Sequence, residues 1–219
     1  MSLFLNLLKK DFYLIGRSLG GVVSLFTLSV SVVFIFYTSI EVNEMLSARS
    51  IRGLKWAIIF ILNFVIVSQS LWEERESMGW EASSSYVSPT YLYLSKSITI
   101  WFCTILVNAL LILVLSIFFQ NMVLERYLGE WLFANLGSGC LVFLGVSLGV
   151  VAFESRLKEI IIPLLQLPFS IPLFLFGLEA ENRYWNEPGL YLPSIGLLLF
   201  FLLFYGTLGS IMVETLQNE

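Results

Sequence analysis

The sequence of 219 residues contains no histidine and only two cysteines, Cys103 and Cys140. Without an imidazole, the chain cannot build a Ser-His-Asp or Cys-His catalytic arrangement, an imidazole metal site or a bis-histidine haem site. Both cysteines lie inside apolar runs, so neither a disulfide framework nor a Cys-x-x-Cys motif is indicated. The sequence also lacks GxxxxGK[ST], the loop that binds the phosphates of ATP. These absences argue against an enzyme.

Charged side chains are scarce as well, at 13% of the residues, where a soluble domain has about 25%. Hydrophobic residues make up 58%, and the mean hydropathy is +0.86. The apolar residues fall in long uncharged runs, which a water-soluble core of this size could not hide. The net charge is −4 without a basic cluster, which argues against nucleic-acid binding. The protein is therefore predicted to be embedded in membrane lipid.

Six runs of the sequence contain no Lys, Arg, Asp or Glu and approach the ~20 residues that a transmembrane helix needs. The runs are Gly20–Ile40, Trp56–Trp72, Ser97–Phe119, Trp131–Phe153, Ile160–Leu178 and Leu190–Val213. Their hydrophobicity is continuous rather than alternating, which favours helices over a β-barrel. No loop is long enough for a soluble domain. Residues 1–219 are predicted to form one all-α integral membrane domain with six transmembrane helices.

The segment before the first run has an amphipathic pattern. Its apolar residues recur at helical spacing, at Phe4, Leu7, Leu8, Phe12, Ile15 and Leu19. Polar residues lie on the other side, at Asn6, Lys9, Lys10 and Arg17. The pattern predicts an N-terminal amphipathic helix lying in the membrane interface, and a frayed hydrophobic leader is the alternative.

Basic residues beside the spans predict the orientation. One side, which carries both termini, has Lys9, Lys10, Arg17, Arg75, Lys96, Arg156 and Lys158. The opposite side has fewer, namely Arg49, Arg52, Lys55, Arg126 and Arg183. Because Lys and Arg are in excess in cytoplasmic loops, both termini are predicted to be cytoplasmic.

The connection Glu73–Lys96 is the longest on the predicted cytoplasmic side. It is acidic at its start and carries a tryptophan, which suits a short interfacial helix that a soluble partner grips. A rigid element joined directly to two spans would move both of them when pushed. The candidate contact residues are Glu73, Glu74, Arg75, Glu76 and Trp80. An ordinary solvated loop is the alternative.

The fifth run contains three prolines within ten residues, Pro163, Pro168 and Pro172. Each one removes a helical hydrogen bond and clashes with the preceding turn, so we expect a distorted helix. Broken backbone is not tolerated in lipid, so the segment should be sheltered, with Gln166 and Ser170 satisfying the freed carbonyls. A hinge or cavity wall is the functional interpretation, and a simple kink is the alternative.

Two further patterns concern packing and energy supply. Gly145 and Gly149 form a GxxxG pattern, which lets helices approach closely but arises easily by chance.

None of the six runs contains an ionisable Asp, Glu, Lys or Arg, the residues that usually mark proton or ion coupling inside a membrane. We therefore expect no buried charge in the spans, and we expect active transport to draw its energy from a separate subunit.

Several segments in order along the chain carry a family resemblance. They are the basic amphipathic segment Leu7–Arg17, the acidic stretch Leu71–Glu76, Ser88-Pro89, Leu94–Lys96 and the proline-rich Leu167–Phe176. Together they resemble the haem exporter protein B (CcmB) family, and the last is similar to the family's LPxxIPxxxF segment. The chain departs from the pattern before Ser88-Pro89, where it has serines in place of a leucine-rich stretch.

The resemblance implies a non-catalytic, ABC-2-type permease subunit in the bacterial cytoplasmic membrane, serving c-type cytochrome biogenesis. The implied partners are a CcmA-like ATP-binding subunit, a CcmC-like haem-handling membrane protein, a small accessory subunit and a haem chaperone. The implied complex has two permeases on two ATPases. ATP hydrolysis would release the haem-loaded chaperone, so haem is an indirect cargo, and no bound cofactor is expected.

Two other functions remain open from the residues alone. One is the permease of a two-component ABC exporter for a drug, a lipid or a polysaccharide. The other is a membrane scaffold that holds an assembly complex together without transport.

Overall fold

The computed structural model describes residues 2–17, 19–39, 47–119, 124–152, 158–187 and 191–217. The described residues are almost entirely helical, with no strand among them. The helices are α1 (Ser2–Arg17), α2 (Leu19–Ser39), α3 (Ala48–Glu76), α4 (Gly79–Ser84), α5 (Pro89–Phe119), α6 (Leu124–Val151), α7 (Lys158–Asn186) and α8 (Tyr191–Gln217). The predicted all-α membrane fold is confirmed.

Among the described residues, five stretches of helix are long and apolar enough to cross a membrane. They are Ala48–Glu76, Pro89–Phe119, Tyr127–Val151, Leu164–Asn186 and Leu192–Thr215. The first predicted span corresponds to α2, whose apolar part in the described residues, Val23–Ser39, is shorter. Of the residues used for the predictions, Ile40, Phe153, Arg156 and Leu190 lie outside the described residues.

Several helices extend beyond the uncharged runs that predicted them. Helix α3 begins at Ala48 rather than Trp56, because Ser47 caps its first turn by accepting a 3.1 Å hydrogen bond from the backbone N–H of Ser50. Helix α7 likewise continues to Asn186. These added turns carry charged residues into the helical bundle.

Helix α6 lies at the centre of the bundle and packs against α3, α5, α7 and α8. It is almost entirely buried, whereas α8 exposes most of its surface. Glycines allow the close approach of α3 to α6: a Cβ on Gly145 would lie 3.3 Å from Val67 Cγ1, and one on Gly149 would overlap Leu71. The GxxxG pattern of the sequence therefore faces α3.

The N-terminal helix α1 packs along α5. The ring of Phe4 lies 6.1 Å from that of Tyr91, and the ring of Phe12 lies 5.6 Å from that of Phe102 in an edge-to-face arrangement. The predicted amphipathic segment is therefore a helix, and two aromatic residues of its apolar pattern contact α5.

The connection after α3 is mostly helical. Helix α3 continues through Glu76, a turn with a positive φ of 52° at Met78 reverses the chain, and the short helix α4 follows. Helix α5 then begins at Pro89. The short helix that the sequence suggested for this connection is α4.

Candidate functional site

A buried carboxylate joins three helices at the end of the bundle where α1 lies. Glu74 of α3 is 7% exposed and pairs with Lys96 of α5, with 2.5 Å between Nζ and Oε2. Lys10 of α1 reaches the other carboxylate oxygen, with 3.4 Å between Nζ and Oε1. We call Lys10, Glu74 and Lys96 the Glu74 cluster. Because Lys96 is itself buried, the carboxylate and this ammonium group neutralise each other away from water.

Two further contacts attach α1 and α4 to the same place. Lys10 Nζ donates to Ser83 Oγ of α4 at 3.4 Å. Ser95 Oγ of α5 donates to Asp11 Oδ2 of α1 at 2.7 Å. Burial raises the pKa of Asp11, against the opposing effects of the Ser95 hydrogen bond and the Lys96 charge. Helices α1, α3, α4 and α5 are thus joined by polar contacts at this end.

The predicted partner-contact residues separate into two groups. Glu73, Arg75 and Glu76 are exposed on the last turn of α3, whereas Glu74 and Trp80 are buried. The sequence predicted that all five would contact a soluble partner together. The buried position of Glu74 had a signal, because Asn63, Ser70 and Glu74 recur at helical spacing on one face of α3, and all three are buried.

A second buried ion cluster lies at the opposite end of the bundle. The ammonium group of Lys55 on α3 donates to the carboxylates of Glu130 on α6 and Glu181 on α7. Trp56 Nε1 donates to Glu181 Oε2 at 2.7 Å. Arg52 Nε donates to Asn182 Oδ1, also at 2.7 Å. We call Arg52, Lys55, Glu130, Glu181 and Asn182 the Lys55 cluster, and all five are buried.

The expectation that no charge is buried in the spans is wrong. The uncharged runs stop next to Lys55 and Glu130, but the helices extend beyond the runs and bring these side chains together with Glu181. Opposite charges in direct contact offset much of the cost of burial. The missing phosphate-binding loop, and not a lack of buried charge, therefore indicates a separate energy source.

A polar network that the sequence did not predict connects the middle of the bundle. Asn108 Nδ2 of α5 donates to Ser138 Oγ of α6 at 2.9 Å, and Asn63 Nδ2 of α3 donates to the same oxygen at 3.0 Å. Asn108 also donates to Asn135 Oδ1 at 3.0 Å. Hydrogen bonds between membrane helices contribute roughly 0.6 kcal/mol each. The network joins α3, α5 and α6 at one level of the bundle.

The proline-rich segment of α7 is not sheltered as expected. The described part of the chain leaves Pro168 and Pro172 exposed, because α7 packs with its other face. Ser170 Oγ donates to the Leu167 carbonyl at 2.8 Å, whereas Gln166 is buried beside Gly145 without a hydrogen-bond partner in the described residues. The side chain of Pro163 lies outside the described residues.

Comparison with known proteins places nearly the whole chain in one family. The family model described as CcmB protein matches residues 2–210, a range that includes both buried ion clusters. None of the curated proteins compared with the sequence is significantly similar to it. Members of the family are membrane permease components of the haem-exporting ABC transporter, which includes an ATP-binding subunit. This chain belongs to the CcmB family.

Proposed function

We propose that the chain is the permease subunit of an ABC transporter complex in c-type cytochrome biogenesis. It lies in the bacterial cytoplasmic membrane with both termini in the cytoplasm. A CcmA-like subunit hydrolyses ATP, and the permease passes the resulting movement to a CcmC-like haem-handling protein, which releases the haem-loaded chaperone. Two permeases, a small accessory subunit and the chaperone complete the complex. The family match over residues 2–210 carries this proposal.

The contact with the ATP-binding subunit is proposed to lie on the exposed end of α3 and on α4. Glu73, Arg75 and Glu76 face outward there, and Glu81 of α4 is exposed beside them. The surface is predominantly acidic, so it suits a basic partner surface. We define the coupling surface as Glu73, Arg75, Glu76 and Glu81.

Movement at the coupling surface would reach the bundle through the Glu74 cluster. Glu74 follows Glu73 in the same helical turn, and its ion pairs attach α3 to α1 and α5. A push on the exposed side of α3 therefore acts on all three helices together. Glu74 and Trp80 support the coupling surface from inside rather than contact the partner.

The double charge reversal Glu73→Lys/Glu76→Lys tests the coupling surface. Both side chains are exposed, so we expect a change of less than about 0.5 kcal/mol in the free energy of unfolding. We expect the ATP-binding subunit to be lost from the complex during purification, because like charges now face each other. Co-purification and the yield of c-type cytochrome are the measurements.

Glu187→Lys is the matched control, since Glu187 is exposed at the opposite end of the bundle. This variant should retain the ATP-binding subunit. Wild-type co-purification and wild-type cytochrome yield for the double variant would show that these residues do not contact the ATP-binding subunit.

We also propose that α7 bends during the cycle. Pro168 and Pro172 donate no backbone hydrogen bond, so the turns that contain them resist bending less than the rest of α7. Their exposed positions leave them room to move without disturbing the core. Pro163 lies one further turn toward the start of the same helix.

A further inference from the structure

The Lys55 cluster joins three helices at the end of the bundle remote from the coupling surface. Along α3, Lys55 and Glu74 are separated by about 28 Å, at ~1.5 Å per residue. Arg52 and Lys55 come from α3, Glu130 from α6, and Glu181 and Asn182 from α7. The two ends of α3 thus carry separate ion clusters.

The bundle is also tightly closed at this level. The indole of Trp56 fits against glycines on both neighbouring helices: a Cβ on Gly137 of α6 would lie 2.5 Å from Cζ3, and one on Gly177 of α7 would lie 2.8 Å from Cη2. The same indole donates to Glu181. Helices α3, α6 and α7 therefore meet here without space between them.

Stability alone does not account for the cluster. Removing charges from water offsets most of the attraction between them, and apolar side chains of similar volume hold helices together at least as well. The two kinds of contact differ when they separate. The four charged groups regain hydration when water enters, whereas exposing apolar groups to water raises the free energy. An ionic contact is therefore suited to a place where the helices part and rejoin.

We propose that the Lys55 cluster is a gate that closes this end of the bundle and opens when α7 moves away from α3 and α6. Opening exchanges the internal ion pairs for water. The gate depends on the proposed function for its energy source, since the movement of α7 is driven by ATP hydrolysis in the partner subunit. Its resting, closed state depends only on the residues of this chain.

A surface ion pair provides a reporter of this movement. Arg49 of α3 and Glu179 of α7 lie beside the cluster, with 4.0 Å between Nη2 and Oε2. Both side chains are accessible, at 71% and 46% exposed, and neither belongs to the buried cluster. The variant Arg49→Cys/Glu179→Cys, in a Cys103→Ala/Cys140→Ala background, can be cross-linked with a short bifunctional thiol reagent.

The first experiment uses the complex with its ATP-binding subunit in lipid nanodiscs. We expect efficient cross-linking without nucleotide and a severalfold lower yield after trapping with ATP and vanadate. An equal yield in both states, with ATP hydrolysed at the wild-type rate, would overturn the gate. Failure of the ATP-binding subunit to co-purify would instead contradict the proposed function.

The second experiment needs no partner. Glu181→Gln keeps an acceptor for the Trp56 N–H but removes one of the two negative charges around Lys55. We expect the reporter yield of the chain alone to fall severalfold, since the gate is weakened at rest. The matched control pair is Thr90→Cys/Glu214→Cys at the other end, where Thr90 Oγ1 donates to Glu214 Oε2 at 3.4 Å. A wild-type reporter yield in Glu181→Gln, or an equal fall in the control pair, would overturn the proposal.

Discussion

Glu74→Ala is expected to lower the free energy of unfolding by about 3–5 kcal/mol, the usual effect of removing one partner from a buried ion pair. The variant leaves the Lys96 ammonium group buried without a counter-charge, and it also releases Lys10 from α3. Helices α1, α3 and α5 then lose their common contact, and the complex should produce no c-type cytochrome. Thermal unfolding in detergent and cytochrome yield are the measurements.

The neighbouring Glu73→Ala is the matched control for Glu74→Ala. It removes the same functional group from an exposed position in the same turn, so the free energy of unfolding should change by less than about 0.5 kcal/mol. A double variant, Glu74→Leu/Lys96→Met, should recover most of the stability because it leaves no unpaired buried charge. Equal destabilisation by Glu73→Ala and Glu74→Ala would show that Glu74 is not buried in an ion pair.

Lys55→Met is expected to destabilise the opposite end by a similar amount, about 3–5 kcal/mol. It leaves the Glu130 and Glu181 carboxylates in the same buried site without the ammonium group that lies between them. Arg52 remains nearby but donates to Asn182. The measurement is again thermal unfolding in detergent.

Arg49→Met is the control for Lys55→Met, because Arg49 lies on the same helix with 71% of its side chain exposed. The exposed pair that it forms with Glu179 contributes about 0–1 kcal/mol. The structure would be contradicted at this cluster if Lys55→Met unfolded at the same temperature as Arg49→Met.

Hydropathy predicted the helical membrane fold because a helix that crosses lipid needs a long run of apolar residues, and such a run can be read from consecutive positions. The ends of the helices obey a different rule. Lys55 and Glu130 border the apolar runs and read as flanking charges, yet each finds an opposite charge on another helix. Glu181 reaches them only through the packing of α7 against α3 and α6. The uncharged runs in the sequence therefore could not predict the cluster.

The coupling surface is a second case in which the sequence pattern alone did not show which residues are buried, here within one helical turn. Successive residues of a helix point about 100° apart, so the adjacent acids Glu73 and Glu74 face solvent and core respectively. Composition treats them alike, whereas the position of Glu74 on the face that carries Asn63 and Ser70 distinguishes it. Shelter of Pro168 and Pro172 was wrongly expected for a related reason: the sequence does not show which face of α7 packs inward.

This bundle is expected to take its energy from a separate ATP-binding subunit. The most direct measurement compares ATP hydrolysis and reporter cross-linking for the purified chain alone and for the chain with that subunit, both in liposomes. The chain alone should hydrolyse no ATP and show the same cross-linking yield with and without nucleotide, and adding the subunit should produce both responses. ATP hydrolysis by the chain alone, or a cross-linking yield that changes with nucleotide in its absence, would contradict this dependence on the separate subunit.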